Sequence, residues 1–281
     1  RGRPRREAGQ DVAQTPLPDR GPAGGWPAQA RAIPLRLSDY RPAIGKLRGN
    51  HYDVVHIHWL SQGIVGLFIG RPFFAQAHGS DLHVNMRNSV MRQVTRTVLE
   101  KARMVFYVTP DLPAYAPSFR EKLRYLPNPV EVDDNIESPP TRLATALIFT
   151  RLASVKGVDR IFAGAERLRR SVELTALNWG PLANEYSERY GGLVQFVRPV
   201  PHREVGSFLR RFDIVIGQMQ AGSLGLSELE AMAAGRPVTP RIDRSLYPAA
   251  PPPVIPPHDR DAPPPAAATL DGASRGPAPP P

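Results

Sequence analysis

The chain has 281 residues, with 36 lysines and arginines against 26 acids and a formal net charge of +10. Cysteine is absent, which excludes disulfides, thiolate zinc sites and thiol nucleophiles together. No apolar run approaches the about 20 residues of a membrane-spanning helix, and no signal-peptide pattern is present.

Hydrophobic residues make up 41% and charged residues 22%, enough for a globular core. The 33 prolines concentrate in Arg1 to Pro42 and Pro248 to Pro281, which read as disordered tails around a folded body. Part of the positive charge sits in "RGRPRRE" at the start, a solvated flank. With no starting methionine, the chain is expected to be a fragment.

The first strand is predicted over Tyr52 to Trp59, "YDVVHIHW", apolar and β-branched. "GIVGLFIG" reads as a short buried segment, and "PFFAQAHGSDL" as an apolar run ending in a small polar turn. Helical spacing at Val90, Val94, Val98 and Leu99 predicts a helix over Asn85 to Ala102. Strands follow at "ARMVFYVTPDL" and "KLRYLPNPV". This β-α-β alternation predicts a parallel sheet faced by helices.

"EVDDNIESPPTR" interrupts the pattern, after which it restarts. "ALIFTRL" is a strand and "GVDRIFAGAERLRR" an amphipathic helix with Ile161, Ala165 and Leu168 on one face. "VELTALNWG" and "LVQFVRPV" are the next strands, and "REVGSFLRRF" is a helix. "DIVIGQM" and a helix starting near Ser227 complete the second half. The expected organisation is a tail at 1–35, a first α/β domain at 36–134 and a linker at 135–142. A second α/β domain follows at 143–255 and a Pro/Ala-rich tail at 256–281.

Ligands of open parallel sheets bind beyond the carboxyl ends of the strands, where helix N-termini favour anions. Arg151 and Lys156, in "TRLASVKG", follow a strand and precede a helix. Two cations there suit a diphosphate, although they could equally be solvated surface charges. In "GSLGLSELE", Gly222, Ser223 and Gly225 allow close backbone approach, and Glu230 can accept hydrogen bonds from a vicinal diol such as ribose. The plainer role for Glu230 is to complement the helix dipole. Glu228 reads as a solvent-facing charge. His78, ending "FFAQAH", can point into a cleft or sit buried and satisfied, and Ser80 or Asp81 is expected to cap the next helix. His56 and His58 share a strand face, but no third ligand accompanies them, so no metal site is predicted. There is no G-x-x-x-x-G-K-[ST], G-x-S-x-G or H-E-x-x-H pattern, and no G-x-G-x-x-G after a strand.

In order, "DVVHIHW", "HGSD", "VTPDL", "LPNPV", "TRLASVKGVDR", "NWGP", "DIVIGQM" and "GSLGLSELEAMAAGRPV" resemble a group 1 (family 4) glycosyltransferase of GT-B architecture, from about Tyr52 to Ile255. The resemblance implies an α/β fold of two Rossmann-like domains facing across a cleft. It further implies a retaining, metal-independent transfer of a sugar from a UDP- or GDP-sugar, with no separate cofactor. On that pattern Arg151 and Lys156 hold the diphosphate, Glu230 binds the ribose and His78 contacts the donor sugar. Gly222, Ser223, Leu224, Gly225 and Leu226 would present backbone amides to sugar and phosphate.

The family pattern has two glutamates with seven residues between them, which puts the first at Gly222, where this chain lacks the carboxylate. The family's opening strand and glycine-rich loop are not found in Arg1 to Ile33, so the first domain is expected to be incomplete, with an exposed sheet edge. The expected partners are the donor, a glycan, lipid or small-molecule acceptor, and the inner face of the membrane by peripheral contact from a cytoplasmic location. A glycosyltransferase relic without activity is the alternative. A basic nucleic-acid-binding protein is a second one, but the aromatics, 7% of the chain, are not interleaved with cations.

Overall fold

The computed structural model describes residues 37–132 and 143–257. The expected linker at 135–142 and both tails, apart from Pro256 and Pro257, lie outside the described residues.

The first unit runs α1 (Leu37–Gly49), β1 (His56–His58), α2 (Ile64–Phe68), β2 (Phe74–Ala77), α3 (Ser80–His83), α4 (Ser89–Lys101), β3 (Met104–Tyr107) and β4 (Leu123–Tyr125). Its strands are parallel and lie in the order β1-β2-β3-β4. Period-two alternation puts Ile57, Ala75, Val105 and Leu123 on one face, where they form a core with Leu60, Leu82, Val98 and Leu99. Each fully buried leucine or valine there contributes about 1.5–3 kcal/mol. His56 and His58 lie on the opposite face of β1 and are exposed.

Two expectations change in this unit. The strand predicted over Tyr52 to Trp59 is ordered as a strand only at His56–His58. Trp59 ends it by adopting φ 70°, the left-handed region that is uncommon for a bulky side chain. The helix predicted from Asn85 starts instead at Ser89, because the side chain of Asn88 accepts the N–H of Met91 at 3.0 Å and caps the helix there.

The second unit runs β5 (Thr145–Ile148), α5 (Val158–Ala163), α6 (Ala165–Leu168), β6 (Glu173–Leu177), α7 (Ala183–Tyr190), β7 (Gln195–Val197), α8 (Val205–Leu209), β8 (Ile214–Ile216), α9 (Leu226–Ala233) and β9 (Val238–Thr239). Its parallel strands lie in the order β7-β6-β5-β8-β9. The predicted helix at 157–170 is divided at Gly164, a residue with low helix propensity.

The central strand β5 is buried on both sides, as an apolar run without polar alternation requires. Ala146 and Ile148 pack against Ile161, Phe162, Ala165 and Tyr186 on one face. Leu147 and Val215 pack against Phe208, Leu209 and Ala231 on the other. Helices therefore cover both faces, and the expected class of fold is present: two parallel α/β units.

Candidate functional site

The second sheet changes direction at β5. From β5 the chain winds outward through β6 and β7, then returns on the other side through β8 and β9. The loops after β5 and β8 thus flank a crevice at the carboxyl ends of neighbouring strands, the place where open α/β sheets take ligands.

The loop after β5 carries Arg151 and Lys156. Its backbone is tied down by Leu152 N–H to Trp179 O at 2.9 Å and by Leu182 N–H to Leu152 O at 3.0 Å. The N–H of Met219, from the loop after β8, donates to Lys156 O at 2.8 Å, so the two loops are joined. Gly157 makes this possible. Its φ is +68°, and a Cβ there would lie 2.9 Å from the carbonyl carbon of Met219. Arg151 is exposed, while Lys156 is half-buried with its Nζ 3.7 Å from where a Cβ on Gly225 would stand.

Two buried polar residues, Gln218, which the sequence did not single out, and Glu228, shape the loop after β8. Gln218 is 0% exposed and uses its whole amide. Its Nε2 donates to Ser223 O at 2.9 Å and Arg241 O at 3.0 Å, and its Oε1 accepts from Gln220 N–H at 2.8 Å and Ala221 N–H at 2.6 Å. Glu228 is 2% exposed, which corrects its reading as a solvent-facing charge. Its carboxylate accepts Gln218 N–H and Gly225 N–H, each at 2.8 Å. A buried carboxylate persists because it replaces lost water with donors, and here both donors are backbone groups of the loop. The tight glycine at position 217 is the sequence signal for it: a Cβ there would lie 2.6 Å from Glu228 Oε1.

These contacts also correct part of the expected amide cradle. Leu224 N–H donates to the hydroxyl of Tyr247 at 2.8 Å, and Gly225 N–H is held by Glu228. Those two amides are engaged within the chain. Gly222 adopts φ +77° and Ser223 is buried, and Leu226, exposed, opens α9.

Glu230 faces a different opening. A cleft of about 610 Å³ lies between Pro129 to Val132, the segment that leaves the first unit, and α8 and α9. Glu230, Leu226, His202, Arg203 and Arg210 line it. Glu230 Oε1 is 3.1 Å from His202 Nε2, and its side chain is 17% exposed. Burial raises the Glu230 carboxyl above the usual range, the neighbouring Glu228 charge adds to this, and His202 partly offsets it. Arg151 and Lys156 are not among the residues lining this cleft. Lys156 stands at the N-terminal end of α9, and Glu230 lies farther along the same helix.

In the first unit, His78 belongs to a run of stacked rings. Its ring centroid is 4.9 Å from Trp59 and 5.2 Å from His58, and His58 lies 4.7 Å from His56. His78 Nε2 and His58 Nδ1 share a hydrogen bond of 3.0 Å. Burial, together with the neighbouring His58 and His56, pushes the His78 imidazole down to about 4, so it is neutral at physiological pH. Neither Ser80 nor Asp81 caps α3 with its side chain; the residue at the cap is Gly79. Asp81 instead reaches backwards and accepts His78 N–H at 2.7 Å and Leu60 N–H at 3.0 Å. It thereby holds His78 beside Trp59, the residue that precedes Leu60. No group of three or more metal-ligating side chains occurs among the described residues.

The two units touch at Asp111, in the turn after β3. Ser223 Oγ donates to Asp111 Oδ1 at 2.6 Å, and His83 Nε2 is 2.6 Å from Asp111 Oδ2. Burial raises the Asp111 carboxyl, but hydrogen bonds from His83, Ser223 and Thr109 outweigh it and hold it below the usual range.

Two parallel α/β units meeting across a crevice, with cationic and glycine-bearing loops at the switch point of the second, define the GT-B class of fold. Residues 3–134 match the family model described as Glycosyltransferase Family 4. No curated protein matches it. Among solved structures, the sucrose-phosphate synthase of Thermosynechococcus elongatus superposes with a TM-score of 0.59 at 18% identity, over 74% of this chain and 61% of that one. HepE of Anabaena, solved with UDP and glucose, gives 0.58 at 16% identity over 73% and 63%. HepE solved with UDP-glucose gives 0.57 at 16% identity over 73% and 64%. At these identities the likeness shows the fold. The chain spans little more than six tenths of the length of these structures.

Proposed function

We propose that the chain is a retaining glycosyltransferase that takes a sugar from a nucleotide-diphosphate donor. The observation that carries this reading is the junction of the loops after β5 and β8, which sets the Lys156 ammonium against Gly225 at the N-terminus of α9. A fixed cation and a helix N-terminus both favour the charge that develops on a departing diphosphate. Arg151, exposed on the same loop, adds a planar pair of donors. No metal is needed in this scheme, because the two side chains supply the positive charge. Glu230, opening on the adjoining cleft with His202, takes the ribose diol, and His78 offers a neutral imidazole to the donor sugar from the first unit. HepE, similar in fold, has been solved with UDP and with UDP-glucose, which supports a nucleotide-sugar donor here.

The acceptor is a glycan, lipid or small molecule bound on the first unit. No helix among the described residues is long and apolar enough to cross a membrane. Peripheral contact with the inner membrane face from the cytoplasm is part of the proposal. Thermal shift with UDP and GDP tests the site: one of them raises the melting temperature of the parent, and Lys156→Ala abolishes the rise. An equal rise in the variant removes the diphosphate role.

A second reading, a relative that binds nucleotide without transferring sugar, is favoured by Gly222, which offers no carboxylate, and by the engaged amides of Leu224 and Gly225. Hydrolysis of UDP-glucose or GDP-mannose without acceptor separates the two readings, since only the enzyme releases free sugar.

A further inference from the structure

We propose that Asp111 and Ser223 form an interdomain latch, in which Asp111 is a positioning residue that fixes the 222–226 loop of the second unit against the 78–83 segment of the first. The two residues are 112 positions apart, and both are buried, at 7% and 3% exposure. One Asp111 oxygen takes the Ser223 hydroxyl and the other faces His83, so a single carboxylate binds a side chain from each unit. Both its oxygens are engaged, which leaves it to hold the halves together and not to bind ligand.

The contact transmits position because each side is stiff. His83 lies on the segment that begins at His78, and its Nδ1 is 3.9 Å from where a Cβ on Gly79 would stand. Its ring packs edge-on against Tyr115 at 4.7 Å. On the other side, Ser223 O is gripped by Gln218 Nε2, Leu224 N–H by Tyr247 and Gly225 N–H by Glu228. A displacement of Ser223 therefore carries the whole loop. Separation of the units strips a buried carboxylate of one donor and a buried hydroxyl of its acceptor, so the closed arrangement is favoured before any ligand arrives.

The chain has no cysteine, so labels can be placed without background. Spin labels at Gln93→Cys on α4 and Glu188→Cys on α7, both exposed, report the separation of the units. In the full chain the parent gives one narrow distance distribution. Ser223→Ala, which removes a single hydroxyl, broadens it toward longer distances, and Asp111→Ala does the same. Ser245→Ala, which breaks a local bond to Asp243, leaves it unchanged. A Ser223→Ala distribution that superposes on the parent overturns the latch. A kinetic arm rests on the donor reading: a larger open population raises KM for UDP-glucose hydrolysis about fivefold at unchanged kcat. A fall in kcat at unchanged KM also overturns the latch. A parent without UDP-glucose hydrolysis removes the donor reading alone, and the distances still decide the latch.

Discussion

The Glu228 carboxylate accepts the backbone N–H of Gly225, three residues before it, and with its other oxygen the N–H of Gln218, two residues past the end of β8, each at 2.8 Å. One buried acid thus ties the strand, the loop and the start of α9 together. Glu228→Leu leaves one buried and one half-buried N–H group without acceptors and is expected to cost about 2–5 kcal/mol in urea unfolding. A loss below about 1 kcal/mol shows that these bonds are not structural.

Glu230, two residues along, behaves differently. It opens on the cleft and meets His202, so Glu230→Ala changes stability little and weakens UDP binding about tenfold, some 1.4 kcal/mol. Because burial raises its carboxyl above the usual range, the affinity declines on mild acidification, when the acceptor for the ribose hydroxyls is protonated. Titration calorimetry of parent and variant over a pH series checks both statements; a variant that binds as tightly as the parent excludes Glu230 from the ribose site.

His78 and Asp81 oppose each other in their pH dependence. The His78 imidazole falls from 6.5 to about 4 on folding, so its contribution to stability is lost as pH falls from 6.5 toward 4. The Asp81 carboxyl rises from 3.8 to about 6, mainly through burial, so its contribution is lost as pH climbs from 3.8 toward 6. In the parent the two slopes largely cancel. His78→Gln exposes a stability that declines across this window, and Asp81→Asn one that increases. Melting temperatures from pH 4 to pH 7 in both variants decide it, and parallel curves for parent and variants sink the pairing.

Restoring a carboxylate at position 222 is not expected to help. Gly222 sits at φ +77°, and a Cβ there meets the Cβ of Asp243 at 3.2 Å. Gly222→Glu is expected to lose about 1–2 kcal/mol to the left-handed backbone and to gain no UDP-glucose hydrolysis. Faster hydrolysis without a drop in melting temperature contradicts that account.

The sequence by itself determined the layer order, the restart of the α/β pattern after β4, and the switch-point loop carrying Arg151 and Lys156. Those features rest on local apolar periodicity and on short-range loop chemistry, which a linear chain displays. It did not determine which acid in "SELE" is buried, because both fall on one short helix and only the close approach of Gly217 and Gln218 turns Glu228 inward. Nor did it reveal the four bonds of Gln218, the backward reach of Asp81 to Leu60, or the meeting of Asp111 with Ser223. Each joins groups that are neighbours only once the sheets have formed, and the free energy of a buried polar group depends on those distant partners rather than on the residues beside it.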